Sequence, residues 1–256
     1  AMVFIESPAN PTNSLVDIKA LNQVLDVIKS ETGHRPISVC DNTLMGPIFQ
    51  QVVPQGIDIA MYSLTKYVGG HSDLVAGAVC GSIEMLRPVR ATRGMLGLTL
   101  DPHSSWMISR SLETLNIRMK RSADSGYKVA QWINDNPYIS AEVLHPDFIE
   151  DEVYQSVYKR QCSGPSSTFS FVIDANKLDA FRLINNLSIF KSAVSLGGSE
   201  SLVCHPGSTT HSSVSDDLQE KFGITDGLIR LSIGLEHPDD LIADLDNAFK
   251  TTFKDA

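Results

Sequence analysis

The chain has 256 residues, 42% of them hydrophobic, and a formal net charge of −9 with no Lys/Arg-rich tract. That length and apolar content bury a substantial core in one large or two modest domains, while the acidic balance excludes the basic footprint of a nucleic-acid binder. No apolar run approaches the ~20 residues needed to cross a bilayer and no secretory signal pattern is present, so a soluble, cytoplasmic protein without nucleic-acid or membrane partners is expected.

Met2-Val3-Phe4-Ile5 begins the chain as a strand-like run with no leading cap or tail, a start that reads as a cut. Pro8-Ala9-Asn10-Pro11 follows, and its two prolines confine the backbone around Asn10. Ile18, Leu21, Val24, Leu25 and Ile28 recur on one helical face, with Gly33 suited to the stop. Strand patterns then occur at Ile37–Cys40, which ends in Asp41-Asn42-Thr43, at Ile57–Tyr62 and at Val75–Cys80. This alternation predicts an α/β fold with a largely parallel sheet. From Pro102 to about Asn136 the chain lacks internal proline and reads as one long connecting helix, with Met107, Leu112, Leu115, Ile117, Met119, Val129 and Ile133 apolar. Thr168–Ile173 and Leu228–Ile233 read as strands, Lys177–Leu187 and Pro238–Phe249 as amphipathic helices, together a smaller C-terminal α+β domain. The expected division is 1–117 and 118–256.

The most informative stretch runs from Tyr62 to Asp73, Tyr-Ser-Leu-Thr-Lys-Tyr-Val-Gly-Gly-His-Ser-Asp. It puts Lys66 at a strand end, where α/β proteins place ligands, as a candidate Schiff-base nucleophile. The hydroxyls of Ser63 and Thr65 can reach an anionic group held beside that amine. Taken alone, the window equally fits a surface lysine before a glycine turn. Asp41, at the exit of the neighbouring predicted strand, adds a carboxylate able to keep a pyridine nitrogen protonated, which is the electronic requirement of pyridoxal phosphate.

Glu6–Thr12, Asp41–Thr43, Ser63–Asp73 and Gly223–Ser232, taken in order, resemble the pyridoxal-phosphate enzymes of cysteine and methionine metabolism, the γ-lyases, β-lyases and γ-synthases of fold type I. The resemblance covers essentially the whole chain. It implies a fold type I transferase-like architecture with pyridoxal 5'-phosphate on Lys66, Asp41 at the ring nitrogen, Ser63 and Thr65 beside the cofactor, and the Asn10 amide on its phenolic oxygen. It also implies a large N-terminal part before residue 1, carrying the phosphate-binding glycine loop and a ring-stacking aromatic, neither of which is in this chain. Only the connection Lys29–Pro36 departs from the family pattern, by its length. A homotetramer of catalytic dimers is implied as well.

Arg230 lies within the strand pattern Leu228–Gly234, where an alternating charge can simply face solvent, although its fork geometry suits a carboxylate. The resemblance assigns it, with Ser195, to the substrate α-carboxylate. Relatives that handle cystathionine carry an acidic residue where this chain has Val194, and a valine suits an uncharged thioether tail. The resemblance therefore implies γ-elimination on a sulfur amino acid, foremost L-methionine to methanethiol, 2-oxobutyrate and ammonia, within sulfur amino acid metabolism and transsulfuration. The alternatives are γ-replacement or elimination on O-acylhomoserine or cystathionine, and a noncatalytic interaction protein that has lost its cofactor.

The four cysteines have no C-x-x-C spacing, and Cys40 and Cys80 sit in apolar strand patterns as small hydrophobes. Neither disulfides nor zinc are expected, and the seven histidines show no metal-ligand spacing. The sequon Asn186-Leu187-Ser188 is incidental. His205 and His211 fall in a Ser/Thr-rich segment that the resemblance assigns to a substrate-side loop, outside the proton-transfer set.

Overall fold

Two β-sheets, with helices between and around them, organise the chain in the computed structural model, which describes residues 1–136 and 141–253. The first sheet holds β1 (Met2–Glu6), β2 (Ile37–Asp41), β3 (Ile59–Ser63) and β4 (Gly77–Gly81) in that order. β1, β2 and β3 run parallel, in the register Glu6↔Asp41 and Asp41↔Met61. β4 closes the edge antiparallel to β3, so the sheet is mixed, because the connection 64–76 holds no helix to cross the sheet and returns the chain beside β3.

Between β1 and β2 lies α1 (Ile18–Thr32), started by Asp17, whose carboxylate accepts from the backbone amides of Lys19 and Ala20. An aspartate N-cap of this kind contributes about 1 kcal/mol. Gly33 ends the helix in the left-handed region at φ 76° and donates its N–H to the Lys29 carbonyl. The buried stripe of α1 is narrower than the sequence suggests: Ile18 and Leu25 are buried, but Val24 is 57% exposed. Cys80 is likewise exposed, a correction that follows from its place on an edge strand.

After α2 (Ile83–Leu96), the single long helix expected from Pro102 is two: α3 (Pro102–Leu112) and α4 (Leu115–Asp135). The break has a local cause. The Glu113 and Thr114 amides turn back tightly onto the Arg110 and Ser111 carbonyls, and Arg118 Nη2 donates to the Ser111 carbonyl at 2.9 Å. Leu112 and Ile117, expected to be buried, are exposed on either side of the break.

The second sheet contains β5 (Ala141–Leu144), β6 (Thr168–Ile173), β7 (Lys191–Ser192), β8 (Leu202–Cys204) and β9 (Leu228–Ser232), ordered β5-β6-β9-β8-β7 and antiparallel except for β7 on β8. α5 (Glu152–Gln161) and α6 (Lys177–Asn185) join β5 to β6 and β6 to β7, α7 (Asp216–Lys221) precedes β9, and α8 (Pro238–Thr252) closes the described chain. Phe169, Phe171, Leu183, Ile229, Leu231, Leu241 and Leu245 form one core with α4 and α8, each such burial contributing about 1.5–3 kcal/mol. A second cluster, including Met45, Tyr67, Val68, Leu74, Leu115 and Met119, packs the turn after β3 against α4. Residues 254–256, the end of the expected second domain, lie outside the described residues.

Candidate active site

Parallel pairing makes β2 and β3 leave the sheet at the same end, and the groups expected to carry chemistry collect there. Asp41 Oδ1 accepts from the Thr43 amide at 3.0 Å and the Thr43 hydroxyl at 2.6 Å. The Thr43 oxygen in turn accepts the Ser63 N–H at 2.8 Å, which locks the two strand exits together. This turn fixes the carboxylate through one oxygen and leaves Oδ2 for another donor.

Beyond Ser63 the chain coils tightly. Lys66 donates its N–H to the Ser63 carbonyl, and Gly69 and Gly70 donate theirs to Leu64 and Lys66. Arg118 braces the turn from α4, donating to the Tyr67 and Val68 carbonyls at 2.7 and 3.2 Å. Thr65 spends its hydroxyl on the backbone of Ala76, accepting its N–H at 3.1 Å and donating to its carbonyl at 3.3 Å. The lysine is left pointing across to the second sheet, where Nζ donates to Ser195 Oγ at 3.1 Å. Burial, and then the positive charge of Arg230, hold its amine below the usual lysine range.

Arg230 is on β9, the central strand of the second sheet, and is 1% exposed. It does not face solvent. Nη1 donates to Asn10 Oδ1 at 3.0 Å, and Nη2 donates to the Val194 and Ser195 carbonyls at 2.8 and 2.9 Å. Its Nε is buried without an acceptor, and among the described residues no carboxylate pairs with it. Burial holds its pKa below the usual range. A buried guanidinium satisfied only by neutral oxygens is incompletely compensated, and a ligand carboxylate would supply what the protein does not.

Lys66, Ser195, Arg230 and Asn10 thus form one connected set, with Asp41 and Ser63 tied together through Thr43. The Asn10 side-chain oxygen is on Arg230, which leaves its amide nitrogen, the group expected to face a cofactor, for another acceptor. Val194 holds Arg230 through its carbonyl and is itself 53% exposed. Three contributors were absent from the sequence-derived set. Besides Thr43, Tyr67 joins the sheets by pairing its hydroxyl with Ser167 and Thr168 at 3.1 and 2.8 Å, and Gly197 brings the Ser195 loop onto that tyrosine. The Gly197-Gly198 doublet was the available signal.

Gly197 has φ 74°, and a Cβ there would stand 2.7 Å from the Tyr67 amide nitrogen. Gly197→Ala is therefore expected to destabilise the fold by about 1–3 kcal/mol, read from the midpoint of denaturant unfolding; an unchanged midpoint would mean that the loop relaxes freely.

A recessed lysine amine, a carboxylate one strand away and a buried guanidinium without a counter-ion among the described residues thus gather at the strand exits of an α/β fold. The chain belongs to the Cys/Met metabolism PLP-dependent enzyme family, whose sequence profile matches residues 1–250. It is 39% identical over 253 residues to cystathionine gamma-lyase of Homo sapiens, covering 97% of this chain and 60% of that protein. Against the L-methionine gamma-lyase of Fusobacterium nucleatum subsp. polymorphum the identity is 36% over 251 residues, covering 97% of this chain and 62% of the relative. The crystal structure of an apo methionine gamma lyase from Micromonospora echinospora superposes with a TM-score of 0.87 at 32% identity, over 97% of this chain and 65% of that one. The cystathionine gamma-lyase of Lactobacillus plantarum, complexed with L-serine, gives 0.89 at 29% identity, over 98% and 64%. The chain therefore spans less than two thirds of the length of these relatives.

The residues present fit the family's cofactor. PLP calls for a primary amine and an acidic partner at its ring nitrogen, and Lys66 with the free oxygen of Asp41 supplies both.

Proposed function

We propose that this chain forms the lysine- and arginine-bearing part of a PLP-dependent carbon–sulfur lyase that converts L-methionine and water to methanethiol, 2-oxobutyrate and ammonia. The observation that carries this reading is the convergence of Lys66 and Arg230 on Ser195, one through its hydroxyl and the other through its carbonyl. An amino acid bound by its carboxylate at Arg230 would present Cα beside the lysine amine. Lys66 would hold the cofactor and, as a neutral amine favoured by burial and by Arg230, take the proton from Cα. Ser195 would orient that amine, and Asp41 would hold the ring nitrogen protonated. When bound, PLP supplies the electron sink for the negative charge left at Cα. A cytoplasmic location and a homotetramer built from catalytic dimers belong to this proposal.

Methionine is favoured over cystathionine because Val194, whose carbonyl accepts from Arg230, is a half-exposed apolar residue with no charge to pair with a distal ammonium. Val194→Glu is expected to raise the kcat/KM ratio of cystathionine over methionine about fivefold, since the new carboxylate can pair with a distal ammonium in a partly screened setting; an unchanged ratio would remove Val194 from the specificity argument. The similarity to relatives named for both substrates keeps elimination from cystathionine as the second reading, beside γ-replacement on O-acylhomoserine. Product analysis of the native enzyme decides among them. 2-Oxobutyrate formed from methionine at an unchanged rate with added thiol supports the proposal, whereas its replacement by a new thioether amino acid would contradict it.

A further inference from the structure

Ser232 follows Arg230 by two positions on β9, so the two side chains share one face of that central strand. It is 1% exposed, and its Oγ accepts the Gly197 N–H at 2.9 Å. Arg230 reaches the same loop through the Val194 and Ser195 carbonyls at 2.8 and 2.9 Å. The loop is thus tied to β9 at three backbone points, two on a guanidinium and one on a hydroxyl. Those carbonyls fix the plane of the Arg230 fork, so a loop that drifted would carry the fork with it.

The hydroxyl that pins the loop is itself anchored. Thr168, paired with Ser232 across β6 and β9, donates its hydroxyl to Ser232 Oγ at 3.3 Å. With that hydrogen committed, the Tyr67 hydroxyl 2.8 Å away is the donor to Thr168. Tyr67 is the neighbour of Lys66 in the turn after β3. A chain of hydroxyls therefore runs from the lysine turn, through Thr168 and Ser232, to the Gly197 amide of the Ser195 loop, and its three side chains are each no more than 3% exposed.

We propose that Ser232 is a positioning residue for the substrate carboxylate: it pins the Val194–Gly197 loop onto β9, and the loop carbonyls hold the Arg230 guanidinium in the plane that receives the carboxylate. Tyr67 acts through Ser232, keeping it aimed at the Gly197 amide by way of Thr168. The inference rests on the reading of Arg230 as the carboxylate site.

The test compares two probes on the native PLP-loaded enzyme by calorimetric titration. L-Norleucine carries a methylene in place of the methionine sulfur and cannot eliminate; 1-aminopentane is the same molecule without its carboxylate. Ser232→Ala is expected to weaken norleucine about tenfold, the effect of a buried N–H left without its acceptor, and to leave aminopentane within about twofold of wild type. Ser232→Cys keeps the volume but offers only a weak acceptor; it replaces the Ala variant if that one does not fold, with the same direction expected. Tyr67→Phe is expected to cost norleucine about threefold, and combined with Ser232→Ala no more than Ser232→Ala alone, because the two act in series. Unchanged norleucine affinity in the Ala or Cys variant, an equal loss for both probes, or a double variant whose loss is the product of the two single losses would each overturn the proposal while Arg230 stands. A wild type that binds both probes equally would overturn the carboxylate reading of Arg230 itself, and the proposal with it.

Discussion

Lys66→Ala, in the native PLP-supplied enzyme, is expected to lower kcat for methionine elimination by about a thousandfold or more, because in the proposed mechanism one side chain both holds the cofactor and moves the Cα proton. The fold should survive. The turn around Lys66 is held by backbone bonds among Ser63, Leu64, Lys66, Gly69 and Gly70 and by the Arg118 clamp on Tyr67 and Val68. Among the described residues the lysine amine makes one hydrogen bond, to Ser195. Rates of 2-oxobutyrate release, with thermal unfolding as control, check this, and a loss below about tenfold would be too small for a group in both roles.

Arg230→Lys is expected to raise KM for methionine about 10–100-fold, the loss of a bidentate charged contact, with little change in cofactor content. Charge is conserved, so the amine of Lys66 stays under a similar positive field. Lysine cannot reproduce the fork that reaches Asn10, Val194 and Ser195 together. Steady-state kinetics alongside cofactor absorbance separates the two effects. Unchanged kinetics would make Arg230 a structural cation of the second sheet.

How legible these features were in the sequence depended on how local their causes are. β1, β2 and β6 could be read because alternating or continuous apolar runs declare a strand, and α1 because its apolar residues recur at helical spacing and Gly33 marks its end. Lys66 and Asp41 were visible as strand-end residues beside polar and glycine-rich turns, and the ordered motifs named the family. Helix α2 was not, since it carries Pro88 and has no buried residue to leave an apolar stripe. The break before α4 depends on Arg118 reaching Ser111, and the exposure of Cys80 on its edge position; both are tertiary facts. At the site, the Asn10–Arg230 bond joins residues 220 positions apart, and no spacing rule predicts it. The use of the Thr65 hydroxyl by Ala76 was equally hidden, because it arises from the antiparallel return of β4.

The central claim is that Lys66 carries the cofactor, and borohydride reduction of the native PLP-loaded enzyme, followed by peptide mapping of the pyridoxyl adduct, tests it most directly. The account predicts the adduct on the peptide containing Ser63-Leu64-Thr65-Lys66-Tyr67; an adduct on any other lysine of the chain would contradict it.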